Sequence, residues 1–250
     1  VKDSQMEKKT DGSKSRTIRG IPKLIDANWA GTDKAGQCTL ILCEGDSAKA
    51  GIVSGLSRED RDTMGVYPMR GKMLNVRGEA AKRIAENKEI AEIKRILGLE
   101  SGKKYTETTI KTALRYGNIL FMTDQDLDGV HIKGLGINLF QSLWASLTKV
   151  LGFIGFMNTP ILKATKGKQS MSFYSEGEYE KWKEATDSKG WTVKYYKGLG
   201  TSTGKEFREY LESKRVVTLS HGGSDCDDSI DMVFNKKRAD DRKDFLTNKC

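Results

Sequence analysis

Residues 118–129 read NILFMTDQDLDG, an apolar run that three closely spaced aspartates follow at once. An unbroken apolar run such as 118–123 predicts a strand that is buried on both faces of a parallel sheet. Residues 39–43 form a second such run, which ends at Glu44 and Gly45, where a tight turn is expected. Ligand sites of open α/β sheets lie beyond the carboxyl ends of the strands. The sequence therefore predicts an α/β fold that presents Glu44 and the three aspartates at such an edge.

The segments around these two runs predict further strands and helices. A strand is expected at 65–69 and helices at 88–97 and 108–116, and Ser47 is the expected cap of a helix that runs to about 54. A long helix should follow the aspartates, because apolar side chains recur there at helical spacing. These side chains are Ile132, Leu135, Leu139, Leu143 and Leu147.

The pattern changes beyond residue 156, where the predicted strands become shorter. Strands are expected at 160–165, 171–174 and 192–196, and helices at 178–185 and 205–214. We therefore predict three parts, namely a polar connector at 1–37, an α/β core at 38–155 and an α+β extension at 156–250.

Composition narrows the class of protein. The 250 residues include 43 basic and 34 acidic side chains, and the net charge of +9 favours a polyanionic partner such as nucleic acid, although solvated basic surfaces are also common. Four cysteines without CxxC spacing and only two histidines indicate neither a zinc site nor a disulfide framework. The most apolar stretch, 150–157, is too short to cross a bilayer, so no membrane segment is expected.

The aspartates predict a metal site. Carboxylates about 4 Å apart repel by about 4 kcal/mol at an effective dielectric constant near 20, and a bound cation removes this cost. Oxygen ligands suit Mg²⁺, Mn²⁺ or Ca²⁺ better than zinc. For any single aspartate, a solvated acidic loop remains the alternative.

Two other ligand-binding motifs fit the sequence poorly. The run that opens at Asp124 matches the start of an EF-hand, but the bidentate glutamate of position 12 would be Leu135, on the apolar stripe. The glycine-rich segment 198–205 suggests a nucleotide-binding loop, yet a Walker A motif would need glycine at Leu199 and serine or threonine at Glu206.

Longer segments resemble a known family. Glu44 with Asp124 and Asp126 resembles the Toprim signature of topoisomerases, bacterial primases and some nucleases. The wider text resembles the eukaryotic-type type II DNA topoisomerases in EGDSAK (44–49), PMRGK (68–72), TDQDLDGVHIKG (123–134) and YYKGLGTST (195–203), and also in IPKLIDANWAG (21–31) and DRKDFLTN (241–248). The chain departs from the usual family text at Ile25, Trp29, Met69 and Val130.

The resemblance implies a fold, a metal and site residues. The fold would be a Toprim, Rossmann-like parallel sheet flanked by helices, with an α+β C-terminal extension. The metal would be Mg²⁺, for which Mn²⁺ or Ca²⁺ can substitute in binding, and Glu44 would also be the catalytic general acid or base. The implied metal ligands are Glu44, Asp124, Asp126 and Asp128. The candidate DNA contacts are Arg70, Lys72, Lys23, Lys197 and Lys205, although a solvated surface charge is the alternative for each lysine.

The resemblance also implies what the chain lacks. The attacking tyrosine of the family belongs to a downstream winged-helix domain, so Tyr116 is expected to be a core residue. For His131, a functional role and a helix-start hydrogen bond are both open. An N-terminus without methionine or an apolar leader suggests a fragment, which alone should neither relax DNA nor hydrolyse ATP.

The implied partners belong to the full-length enzyme. It would bind double-stranded DNA, use ATP and form a homodimer, with no membrane partner. It would act in the nucleus if cellular, or at a viral replication site in the host cytoplasm or nucleus if viral. The alternatives are a non-catalytic Toprim-type nucleic-acid binding module and a Toprim primase or nuclease.

Overall fold

A computed structural model describes residues 2–249 of the chain, with side chains described for 4–248. The strands are β1 (Thr39–Glu44), β2 (Met64–Met69), β3 (Asn118–Met122), β4 (Ile154–Met157), β5 (Leu162–Lys166), β6 (Gln169–Phe173), β7 (Thr192–Tyr195) and β8 (Val216–Thr218). The helices are α1 (Lys2–Lys9), α2 (Gly45–Gly55), α3 (Asp60–Thr63), α4 (Ala81–Glu86), α5 (Lys88–Leu97), α6 (Glu107–Ala113), α7 (Leu127–Leu143), α8 (Ala145–Thr148), α9 (Glu176–Ala185), α10 (Gly204–Ser213), α11 (Ser224–Phe234) and α12 (Ala239–Lys249).

The main sheet has the strand order β2-β1-β3-β4-β8, in which the first four strands are parallel and β8 is antiparallel to β4. The chain passes from β1 to β2 on one side and then to β3 on the other. The order therefore reverses between β1 and β3, and such a point opens a crevice at the carboxyl ends of the two strands. The predicted α/β fold with a parallel sheet flanked by helices is confirmed.

Alternate side chains of β1 reach two separate apolar clusters because successive residues of a strand face opposite sides of the sheet. Leu40 and Leu42 belong to the cluster that α5 and α7 cover, whereas Ile41 and Cys43 belong to the cluster under α2 and α10. The ring of Phe207 of α10 packs directly on Gly51 of α2, where the helix has no side chain. Helix α10 of the predicted extension is thus part of the core around β1.

The extension also builds a small sheet of its own. Strand β5 lies between β6 and β7, and both neighbours are antiparallel to it. Helix α9 covers this sheet through Trp182, whose ring lies 5.3 Å from that of Phe173. Between residues 2 and 249, no helix combines the length and apolarity that crossing a bilayer requires. Cys38, Cys43 and Cys226 are free thiols, and Cys250, like Val1, lies outside the described residues.

The segment predicted as a polar connector packs closely on the core over its described residues. The guanidinium of Arg115 is fully buried and pairs with Asp26, and the backbone of Ile25 exchanges hydrogen bonds with Val66 of β2. Lys94 is also buried, and its ammonium lies 2.8 Å from Asp11. Buried charges need partners of this kind, so the connector completes the interior.

Several predicted element boundaries were wrong. Helix α2 begins at Gly45, two residues before the expected cap Ser47, because the positive φ of 81° at Gly45 turns the chain directly into the helix. Helix α6 ends at Ala113, since Arg115 and the following residue turn inward to Asp26. The apolar stripe divides at Trp144, where α7 ends, so that Leu147 lies on α8.

Candidate metal centre at the ends of β1 and β3

Glu44 and Asp124 lie side by side at the carboxyl ends of β1 and β3. Cys43 is in register with Met122, so the residues that come next in the two chain segments, Glu44 and Thr123, are adjacent, and Asp124 follows directly. The backbone N–H of Asp124 points to Oε2 of Glu44 at 3.5 Å, a long contact. Glu44 is the last residue of β1 and directly precedes α2, which holds its carboxylate at this edge.

Asp126 and Asp128 lie at the start of α7. Asp126 is the N-cap of the helix, and its Oδ1 accepts a hydrogen bond of 2.7 Å from the backbone N–H of Gly129. Asp128 is exposed in the first turn, where its Oδ1 lies 2.7 Å from Nζ of Lys72. The hydrogen bond and positive charge of Lys72 hold the pKa of Asp128 below its usual value.

The four carboxylates form one electrostatic cluster. Burial raises the pKa of Glu44 above its usual value, and the negative charges of Asp124, Asp126 and Asp128 raise it further. A cation that binds beside such a group stabilises its charged form. The cluster therefore favours binding of a positive ion.

A hard cation fits the described carboxylates, but only with additional ligands. In the part of the chain that the structure describes, no three histidine, cysteine, aspartate or glutamate side chains come close enough to hold an ion by themselves. The described contacts engage one oxygen of each acid, namely Glu44 Oε2, Asp124 Oδ1, Asp126 Oδ1 and Asp128 Oδ1. Mg²⁺ commonly binds one or two carboxylates and takes its remaining ligands from water and substrate phosphates. The donor set suits an ion of that kind rather than a cage built by protein alone.

The basic side chains that are candidate DNA contacts differ in their surroundings. Lys72 contacts Asp128, as described above, and Lys23 contacts Asp46 of the first acidic motif at 3.2 Å. Both lysines thus lie beside the acids. The backbone of Arg70 donates to Glu89 at 2.7 Å, while its side chain is exposed.

Two further lysines come from the extension. Lys197 lines an open cleft together with Gln125, which lies between two of the acids in the sequence. Lys205 is exposed in the first turn of α10.

The sequence did not reveal one contact of the centre. The backbone N–H of Leu199 donates a hydrogen bond of 2.7 Å to Oδ1 of Asp124. The glycine-rich segment around Leu199 was recognisable in the sequence, but nothing in the sequence indicated that Leu199 would bond to Asp124, 75 residues away. The extension therefore contributes directly to the centre.

Tyr116 lies outside the cluster of acids, whereas His131 is near enough to Asp128 to act on its carboxylate electrostatically. Tyr116 is fully buried, its hydroxyl donates to Asp26, and it accepts from the backbone of Ala27 at 3.0 Å. The predicted core role of Tyr116 is confirmed. His131 lies on α7 with its ring stacked on that of Phe234, 6.4 Å away.

Comparison with known proteins finds two associated domain families that match successive parts of the chain. Residues 39–154 match the Toprim domain, and residues 157–249 match the C-terminal associated domain of Toprim. The chain is 51% identical over 246 residues to DNA topoisomerase 2 top-2 of Caenorhabditis elegans, a match of 97% of this chain and 16% of that protein. It is 50% identical over 249 residues to human DNA topoisomerase 2-beta, a match of 98% of this chain and 15% of that protein.

A solved structure is similar as well. It is the crystal structure of the Plasmodium falciparum topoisomerase II DNA-binding, cleavage and re-ligation domain. The TM-score is 0.88 at 50% identity, and the match covers 94% of this chain and 32% of that one. The chain spans about a sixth of the length of the curated relatives that it matches.

Proposed function

We propose, since this chain belongs to the Toprim-containing type II DNA topoisomerases, that it supplies the metal-binding part of their DNA cleavage and religation site. The observation that carries the proposal is the meeting of Glu44 and Asp124 at the point where the strand order reverses. Toprim domains of this family generally bind metal. We assign Glu44, Asp124, Asp126 and Asp128 as the ligands and Mg²⁺ as the ion, with Mn²⁺ or Ca²⁺ able to substitute.

The incomplete set of protein ligands supports this assignment. When bound, Mg²⁺ would act as a Lewis acid that stabilises charge on the scissile phosphate and on the departing 3′ oxygen. The four acids are the side chains that would hold the ion, and phosphate oxygens of the substrate would supply the ligands that the protein lacks. Glu44, at the tip of β1, is the residue that we assign to proton transfer with the departing oxygen.

The proposed substrate is double-stranded DNA. Arg70, Lys72, Lys23, Lys197 and Lys205 are the proposed phosphate contacts, and the net charge of +9 supports a polyanionic partner. Lys72 and Lys23 support it further, because each lies beside an acid that would otherwise repel the phosphate backbone.

The remaining parts of the reaction belong to a longer enzyme. We propose that residues 1–37 follow an ATPase region, that 38–155 form the Toprim core, and that 156–250 lead to a winged-helix domain with the attacking tyrosine. The chain alone should neither relax DNA nor hydrolyse ATP, and the full-length enzyme should be a homodimer. The relatives named above are eukaryotic, which favours action in the nucleus.

The test uses the full-length enzyme that carries this chain. Glu44→Gln and Asp126→Asn should abolish DNA cleavage and relaxation while leaving DNA binding and ATP hydrolysis within about twofold. Asp33→Ala is the matched control, because Asp33 is an exposed acid before β1, at the opposite end of the sheet. Normal relaxation by both site variants would contradict the proposal and would favour a non-catalytic nucleic-acid binding module.

A further inference from the structure

Residues 196–203 form a loop that lies against Asp124 at Gly198 and Leu199. Leu199 donates its backbone N–H to Oδ1 of Asp124 at 2.7 Å. Gly198 lies so close that a Cβ built there would be 2.5 Å from Oδ2 and 3.2 Å from Oδ1 of the same carboxylate. One peptide of the extension thus donates a hydrogen bond to one oxygen of a proposed metal ligand and leaves no room for a side chain beside the other.

The absence of a side chain at Gly198 is explained by Asp124 rather than by the backbone. Gly198 has φ 177° and ψ 172°, an extended conformation open to any residue. The three atoms that a Cβ at Gly198 would meet first all belong to the Asp124 carboxylate. Gly200, two residues further on, differs, because a Cβ there would meet Ser47 Oγ at 3.5 Å, an ordinary contact. The two glycines therefore form a matched pair for substitution.

The loop is fastened at both ends to α10. Glu206 accepts hydrogen bonds from the Tyr196 hydroxyl at 2.6 Å, from Lys194 Nζ at 2.9 Å and from the backbone of Thr203 at 2.7 Å. Burial opposes ionisation of Glu206, but these hydrogen bonds outweigh it and lower the pKa to about 2. Helix α10 is in turn packed on α2 through Phe207. The two ends of the loop that carries the Gly198–Leu199 peptide are consequently held in place by contacts that do not involve Asp124.

We infer that the Gly198–Leu199 peptide is a positioning element that fixes the orientation of the Asp124 carboxylate for the metal. The inference rests on the proposed function, and it adds a residue pair that contacts the ligand rather than the ion. Groups that orient a ligand in this way commonly change metal affinity about 10- to 100-fold when they are altered. It also gives the extension a role at a centre whose proposed ligands all come from the preceding core.

The contact itself is tested by thermal unfolding without metal, in a double-mutant cycle. Gly198→Ala should lower the Tm by about 3 °C, because the added methyl group displaces the carboxylate. In an Asp124→Ala background the same substitution should lower the Tm by less than about 1 °C. Gly200→Ala should lower the Tm by less than about 1 °C both in the wild type and in the Asp124→Ala background. Equal Tm losses for Gly198→Ala in the two backgrounds would overturn the inference.

The positioning role is tested by titration with Mn²⁺ alone. Gly198→Ala should weaken Mn²⁺ binding at least about tenfold, whereas Gly200→Ala should bind like the wild type. Tyr196→Phe, which removes one hydrogen bond to Glu206, should weaken it severalfold and serves if Gly198→Ala does not fold. Wild-type affinity in these variants would overturn the inference. If Asp124→Ala itself binds Mn²⁺ like the wild type, the proposed function fails as well, even where the Tm cycle shows the contact.

Discussion

Nζ of Lys72 lies 2.7 Å from Oδ1 of Asp128, so a proposed phosphate contact and a proposed metal ligand neutralise each other. Both side chains are largely exposed, and an exposed ion pair is weak enough to exchange partners. DNA phosphate and a metal ion would each compete for one member of this pair.

Replacing Lys72 by methionine distinguishes the effect of this ion pair on metal binding from its effect on DNA binding. Mn²⁺ binding to the DNA-free chain should tighten severalfold, because a neighbouring positive charge is lost and Asp128 is released. Affinity for a duplex should fall, and the slope of log affinity against log salt should decrease by about 1. Titration calorimetry and fluorescence anisotropy measure the two effects. Lys82→Met, on α4 beside Glu86, is the control, and weaker Mn²⁺ binding by Lys72→Met would count against the pairing.

The ion pair between the buried Arg115 and the partly exposed Asp26 should contribute most to the attachment of residues 2–37. Arg115→Met leaves Asp26 without its main partner and should lower the free energy of unfolding by about 3–5 kcal/mol. Lys111→Met, which breaks an exposed pair with Glu107, should cost less than about 1 kcal/mol. Denaturant unfolding measures both, and equal losses would show that the connector is not held as the structure indicates.

Glu206 should make stability depend on pH in the acid range. Its pKa is about 2 in the folded chain against 4.5 for an ordinary glutamate, so its contribution is complete above about pH 4.5 and is lost as the pH falls towards 2. The free energy of unfolding of the wild type should exceed that of Glu206→Gln by at most about 3 kcal/mol at pH 6. This difference should shrink steadily below pH 4.5. Denaturant unfolding across this range measures it. Glu180→Gln, on the surface of α9, should show no such convergence.

Glu44 should lower the stability of the metal-free chain. Burial and three nearby aspartates disfavour its charged form, so Glu44→Gln should raise the Tm at pH 7 by about 2–4 °C for each kcal/mol gained. Differential scanning calorimetry without divalent ions measures the change, and Glu59→Gln, at an exposed position, is the control. A Tm below that of the wild type would mean that Glu44 has a favourable partner that the cluster does not explain.

The sequence predicted the centre of the sheet well because unbroken apolar runs such as that of β3 have few alternatives. It also predicted which acids share the edge, since parallel strands end at the same side. The contact of Leu199 with Asp124 was not predictable, because backbone donors carry no signal in the sequence and the two residues are 75 positions apart. The buried position of Arg115 was missed for a related reason, as its partner Asp26 lies 89 residues earlier, in a segment whose polar composition suggested a connector.

The most direct test of the proposed metal centre is a titration of the chain with Mn²⁺ in the presence of a short DNA duplex. Asp126→Asn removes the charge of one ligand but keeps an oxygen that can cap α7, so the helix is preserved. The proposal predicts that this variant binds Mn²⁺ at least about tenfold more weakly than the wild type, a loss of about 1.4 kcal/mol or more, while Asp33→Ala binds unchanged. Identical titrations for the wild type and Asp126→Asn would contradict it.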